Sequence, residues 1–305
     1  MLNKVDQELL RQTSELHAIP QGAYNIRKNG ESVGRASTKN ITIETNADNS
    51  GINILVKPNT KNESIHIPVI LSSAGLTDVV KNDFYIGDNC DVTIVAGCGI
   101  HSTGNKKVEH DGIHRFFIGK NAKVKYVEKH IGTGAGNNKV LNPVTEITLD
   151  ENAFFEMDTA QLSGVSLSER KTYATLKKNS KLKINEKILT EGNSTATTEF
   201  VADLVGENSS THIVSRAVAK DSSVQHFNST LNGKSKCFGH TECDAIIVGD
   251  AKVFAKPEVN ALHPDSSLVH EAAIGKIAGE QIQKLLTLGL TEEEAQNQIL
   301  KGFLR

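Results

Sequence analysis

The sequence predicts an all-β solenoid with short helical regions at its two ends, and three observations carry that prediction. A phrase of about twelve residues recurs through the middle of the chain, its residues alternate between apolar and polar, and aromatics are only 5% of the composition with no Trp. The phrase runs from alternating apolar residues through a Gly/Lys/Asp turn to Asn or Asp, a small residue, and alternation again. It reads eight times, with the small residue at Cys90, Ala122, Ala153, Ser180, Ser209, Ser222, Ala251 and Ser266. Successive spacings are 32, 31, 27, 29, 13, 29 and 15, near one unit of about 29 or its half. One coil with two short strands separated by turns accounts for both values. Alternation of period two specifies strand rather than helix. Leucine-rich repeats lack support because no L-x-x-L-x-L pattern is present, and propeller blades need longer periods. Stacked coils enclose a narrow interior, for which Val, Ile, Ala and small polar residues are the expected filling. An ordinary β-sandwich with similar turns is the competing architecture.

Taken in order, residues 1–17 place Leu2, Val5, Leu9 and Leu16 at helical spacing, so a short amphipathic helix opens the chain. The remainder of residues 1–80 reads as irregular or β, residues 81–272 as the solenoid core, and residues 273–305 as a helical region. In that last region Ile277, Ile282, Leu285 and Leu286 form one stripe, Gly289 supplies a stop, and Thr291 with Glu294 forms a capping box. Ala295, Ile299 and Phe303 continue on one face. These helices either cap the open end of the solenoid or offer a docking surface to a partner.

Charge and cysteine content exclude several classes. With 34 Lys+Arg against 36 Asp+Glu among 305 residues, the net charge of −2 argues against binding nucleic acid or an anionic membrane surface. No apolar run has the length of a signal peptide or a membrane span. Four cysteines are too few for a disulfide framework, so a reducing cytoplasm is the expected location.

No G-x-x-x-x-G-K-[ST], G-x-S-x-G, H-E-x-x-H or C-x-x-C occurs, and the chain is expected to bind no nucleotide itself. Two clusters of metal-type ligands remain. The first is Cys237, His240 and Cys243, followed one coil later by His270 and Glu271. Cys243 and Glu271 are 28 residues apart, close to the repeat, so they are expected at similar angular positions on neighbouring coils, about 4.8 Å apart. Thiolate with carboxylate or imidazole is a donor set suited to iron. The second cluster is Cys98 and His101 followed by His110 and His114, with Cys90 and His130 nearby. Its spacing matches no zinc-finger pattern. In either cluster, buried small cysteines and satisfied core histidines are the plainer alternative.

The segment 242–303 adds a resemblance. Its E-C-D ahead of a strand, the Pro257-Glu258 pair, the H-E-A-x-x-G-K-I phrase at 270–277 and the closing helix ending in G-F closely resemble the SufB/SufD family, the scaffold subunits of SUF iron–sulfur cluster assembly. The repeat region resembles the family's core more loosely, back to Phe84. The resemblance implies a right-handed parallel β-helix with helical terminal regions. It also implies that the C-terminal helices dock an ABC-type ATPase, SufC, leaving ATPase activity to that partner and making this chain no enzyme. Two scaffold chains would pair through their β-helices. A transient iron–sulfur cluster would form near that seam, with sulfur from a cysteine desulfurase or sulfur carrier, for delivery to client apo-proteins. Cys243, His270 and Glu271 together make the chain look SufB-like, with Cys237 and His240 as assisting groups. It departs from long SufB chains in lacking their N-terminal cysteine-rich motif and looks more like the short scaffolds of minimal systems, which implies a homodimer carrying two ATPase subunits. The competing function is a metal-dependent β-solenoid enzyme acting through Cys98, His101, His110 and His114; a purely structural solenoid is the third.

Overall fold

In a computed structural model, residues 2–14 and 20–304 are described, and they build a parallel β-solenoid of about eight coils with short helices at the ends. Helix α1 (Lys4–Ser14) precedes two antiparallel pairs, β1 (Ala23–Lys28) with β2 (Glu31–Ala36) and β3 (Ile41–Thr45) with β4 (Gly51–Val56). There follow β5 (Lys61–Leu71), β6 (Thr77–Ile86), β7 (Asp91–His101), β8 (Val108–Ile118), β9 (Lys123–Thr133), β10 (Lys139–Leu141), β11 (Val144–Leu149) and β12 (Phe154–Gln161). The last coils comprise β13 (Leu167–Leu176), β14 (Lys181–Thr190), β15 (Thr195–Leu204), β16 (Ser210–Ala219), β17 (Val224–Gly233), β18 (Phe238–Ile247), β19 (Lys252–Ala261) and β20 (Ser267–Gly275). Helices α2 (Gly279–Leu286) and α3 (Glu292–Phe303) close the described chain.

From β5 onward consecutive strands fall in opposite sheets, except that β10 and β11 lie in the same one. One ten-stranded sheet runs β2-β1-β5-β7-β9-β12-β14-β16-β18-β20, and the other runs from β19 through β17, β15, β13, β10, β8, β6 and β4 to β3, with β11 also pairing β13 and β8. Each coil therefore contributes one strand to each sheet, as the full and half spacings require. Parallel pairing already joins β5 to β7 and β4 to β6, upstream of the start at residue 81 expected from the repeat. The reason is an early copy of the phrase with Thr60 as its buried small residue, disguised by a register shift between Lys61 and Glu63.

The recurring Asn has a geometric cause. Asn59, Asn89, Asn121, Asn152, Asn179 and Asn208 have φ between 55° and 63°, a left-handed conformation that Asn tolerates better than most residues with a Cβ. Their side chains also form a ladder, each amide nitrogen donating to the preceding oxygen: Asn121 to Asn89 at 3.2 Å, Asn152 to Asn121 at 3.1 Å and Asn179 to Asn152 at 3.0 Å. The next residue tucks inward at the corner, which is why it is small: Cys90, Ala122, Ala153, Ser180 and Ser209 are all buried, as is Cys237, which follows Lys236 at the equivalent corner one coil on. The half-spaced copies belong to a second corner, where the buried residue is Ser223, one position after the expected Ser222, followed by Ala251.

The interior departs from the expected small-aliphatic filling. Phe84 stacks on Phe116 at 4.3 Å between ring centroids, Phe116 meets Tyr126 at 4.9 Å and Phe155 at 5.0 Å, and Phe200 meets Phe227 at 5.9 Å. The few aromatics are concentrated where in-register coils place ring beside ring, an arrangement that adds specific contact energy to their burial.

The two ends of the solenoid differ. Leu9 and Leu10 of α1 are buried against Ile26 and Ile70, whereas Val5 is exposed and Leu16 lies outside the described residues. Gly99 allows this close approach, since a Cβ there would stand 2.9 Å from the Leu9 Cβ. At the other end the inward-facing positions of the last coil are open, with Val259 45% and Ile274 39% exposed. The C-terminal helices pack on each other, Ala295 and Leu300 becoming buried, and the capping box of Thr291 and Glu294 is formed in both directions.

Candidate functional site

Strand alternation divides the first cluster between two faces. In β18, Thr241, Cys243 and Ala245 point inward and are buried, while His240, Glu242 and Asp244 point outward. In β20, His270 pairs with Thr241, Glu271 with Glu242 and Ala272 with Cys243. The coil-to-coil offset here is 29 residues, so the 28-residue separation of Cys243 and Glu271 puts them on adjacent strands but opposite faces. The expectation of a shared angular position is corrected accordingly. His270 shares the inner face with Cys243; Glu271 shares the outer face with His240.

Cys243 is fully buried in a narrow internal void lined also by Glu186, Thr198, Ser215, Gln225 and Phe227. Burial raises its thiol to about 12, and the nearby charges of Glu186 and Asp244 push in the same direction. A thiol so placed is a poor free nucleophile and becomes a ligand by losing its proton to metal binding. His270 is half-buried, and its Nδ1 is inaccessible to solvent with no hydrogen-bond partner. Cys237 instead occupies a solenoid corner equivalent to Cys90, where a small buried side chain is required.

On the outer face, His240 Nε2 also has no hydrogen-bond partner and lies 3.7 Å from an oxygen of the exposed Glu271. Burial and hydrogen bonding with Asp244 hold the Glu242 carboxyl above its usual range. His240, Glu242 and Glu271 bring three ligand atoms within 4.8 Å of one another, the one such His/Cys/Asp/Glu group among the described residues.

The second cluster is distributed among local partners. His110 Nδ1 lies 3.0 Å from Asp78, which also accepts from Arg27 at 2.7 Å. His114 Nδ1 lies 2.7 Å from the Tyr126 hydroxyl, and that hydroxyl donates to Glu128 at 2.8 Å. Burial lowers His114 to about 4 and lowers His130 as well. His101 bonds Thr133 at 2.9 Å. Cys98 is buried opposite His130 in register, its thiol pushed well up by desolvation and then by Asp78 and Glu128. These side chains serve as a satisfied internal polar layer rather than converging on one point.

Residues 128, 170 and 186 are the members that motif reading passed over. Arg170 donates to Glu128 at 2.7 Å and lies 3.8 Å from Glu186, which accepts from Ser215 at 2.7 Å and Thr198 at 2.9 Å. Ser215 pairs directly with Cys243. The signal was available: Arg170 is in phase with inward Thr172 and Ala174, and Glu186 with inward Leu182, Ile184 and Ile188. A charge in phase with the core positions marks an internal polar group.

The fold defines a parallel β-solenoid whose last two strands of one sheet carry ligand-type side chains, Cys243 and His270 on the inner face and His240, Glu242 and Glu271 on the outer. A family model described as SUF system FeS cluster assembly, SufBD core domain, matches residues 69–303, and the chain belongs to that family. Relatives described as iron–sulfur cluster assembly SufBD family proteins are 30% identical in Archaeoglobus fulgidus, over 74% of this chain and 60% of the relative, and 30% identical in Methanothermobacter thermautotrophicus, over 71% and 53%. One from Pyrococcus horikoshii is 30% identical over 77% of this chain and 71% of its own. The chain thus spans little more than half the length of the first two. Among the described residues no helix is long and apolar enough to cross a membrane.

Proposed function

We propose that this chain is a cytoplasmic scaffold subunit on which a transient iron–sulfur cluster is built and from which it is passed to apo-proteins. A partner ABC-type ATPase supplies nucleotide hydrolysis, and a cysteine desulfurase or sulfur carrier supplies sulfur. The observation that carries the reading is that Cys243 and the unpartnered His270 face the same inner side of adjacent strands, two register positions apart, at the end where the solenoid is open. Iron bound there displaces the thiol proton and offsets the burial that otherwise keeps the thiol neutral. Mixed sulfur and nitrogen ligation holds a cluster less completely than four thiolates, which suits cargo destined for release.

A second copy of the chain fits the same end. β19 and β20 are the terminal strands of the two sheets, their outer backbone edges are free to pair, and their inward residues are exposed. Pairing there covers Val259 and Ile274 and encloses Cys243 and His270 in a seam. The ATPase would dock on α2, α3 and the residues flanking α2, where Leu286 is 40% and Leu288 72% exposed and Ile277, Ile282, Leu285, Ile299 and Phe303 are half-buried. Anaerobic reconstitution of the scaffold–ATPase complex tests the site. Cys243→Ser is expected to abolish the visible absorption of the cluster with the fold intact, and a normal cluster on that variant would refute the assignment. Removing residues 276–305 is expected to abolish co-purification with the ATPase while the β-core stays folded.

A further inference from the structure

We propose that His240, Glu242 and Glu271 form a binding site for a single divalent transition-metal ion on the outer face of β18 and β20, separate from the inward Cys243. Three independent features of the geometry converge. The register Glu242 to Glu271 places two carboxylates side by side across the last strand pair, and His240 projects from the same face two residues before Glu242. Their ligand atoms lie within 4.8 Å of one another. The His240 Nε2 is buried, lacks any hydrogen-bond partner, and faces a Glu271 oxygen at 3.7 Å.

That last distance is longer than a closed hydrogen bond and leaves room for an ion between the two groups. A charged hydrogen bond between imidazole and carboxylate closes to roughly 2.7–2.9 Å, whereas the exposed Glu271 side chain stands off at 3.7 Å with Glu242 opposite it in register. Two ligands each about 2.1 Å from one ion stand roughly 3.0–3.4 Å apart at octahedral and tetrahedral angles. A small rotation of Glu271 reaches that range. The imidazole plane is meanwhile supported by His212, whose ring lies 4.8 Å from that of His240 on the neighbouring strand. One nitrogen and two carboxylates select borderline and hard divalent ions such as Fe²⁺, Mn²⁺, Co²⁺ and Zn²⁺ over thiophilic Cu⁺.

If the metal in the cell is iron, the site would hold Fe²⁺ on the opposite face of the strand that carries Cys243, ready for assembly. That role rests on the function proposed above; the existence of the site does not. Mn²⁺ is the probe that separates the two, because it prefers nitrogen and oxygen donors to thiolate. The full chain is titrated with Mn²⁺ and the free ion followed by electron paramagnetic resonance, with pulsed spectra of the bound ion recorded for nitrogen coupling. One Mn²⁺ per chain with imidazole coupling is expected. His240→Ala should remove the coupling, Glu271→Gln should weaken binding at least about tenfold, and Cys243→Ser should leave binding within about twofold. Glu271 is exposed and its replacement isosteric, so loss of folding does not confuse that variant. Absence of Mn²⁺ binding, unchanged affinity in the His240→Ala/Glu271→Gln double variant, or loss of binding in Cys243→Ser would overturn the site. Cluster reconstitution on Cys243→Ser, measured separately, decides the scaffold reading whatever the Mn²⁺ result.

Discussion

The interior histidine layer and the edge cluster contain similar residue types and are opposite in their state of satisfaction. His110, His114 and His130 face Asp78, Tyr126, Glu128 and Arg170 within the closed coils. At the last coil, His240 and His270 each carry a buried ring nitrogen with no partner. Buried polar groups left unsatisfied cost free energy unless a ligand supplies the missing contact. Among these five histidines the difference follows position: partners run out where the solenoid ends and are supplied where a further coil is present, although His66 Nδ1, within the closed coils, is also buried without a hydrogen-bond partner.

The largest effect expected from this contrast is at Arg170. Arg170→Ala leaves Glu128 and Glu186 buried without their cation, which should cost about 3–5 kcal/mol in denaturant unfolding. Full stability together with lost cluster assembly would break the comparison by making the interior layer functional. Next comes pH. His114 is held at about 4 in the folded chain against 6.5 when unperturbed. Between those values the unfolded state binds more protons, so stability is complete above about pH 6.5 and falls as pH is lowered, by up to about 3 kcal/mol at pH 4. Unfolding measured at pH 7 and pH 5 should show about 2 kcal/mol of that loss in the native chain and a smaller one in His114→Gln, while His240→Ala leaves it unchanged.

A smaller effect is expected at the corners. Asn152→Ala retains φ of 57° without the amide contacts to its neighbours and should cost about 1–2 kcal/mol, read as a lower midpoint of thermal unfolding. The smallest change in stability is expected at the edge. Glu271→Gln should stay within about 0.5 kcal/mol of the native chain, yet weaken cluster reconstitution; a large destabilisation would mean that the edge cluster is structural after all.

Much of the fold was readable because the solenoid writes its geometry into local sequence. The Asn and small-residue pairs at 89–90, 121–122, 152–153 and 179–180 each mark a left-handed corner, and alternation marks which residues face inward. The early coil around Thr60 was missed because its register shift breaks the alternation. The site was readable as a set of residues, since Cys243, His270 and Glu271 stand out by type and spacing. Their faces were not, because an offset of 28 against a coil of 29 reverses the side of the sheet.

The sequence by itself therefore determined the coil length, most of the corners, the strand alternation of the central coils and the capping box of the last helix, all of which depend on residues within one repeat of each other. Only the tertiary structure decided which histidines find partners, that Arg170 ties Glu128 to Glu186 beside Cys243, and that the last coil is left open. Those outcomes depend on the register between coils, where a shift of a single residue turns a side chain from the core to the surface.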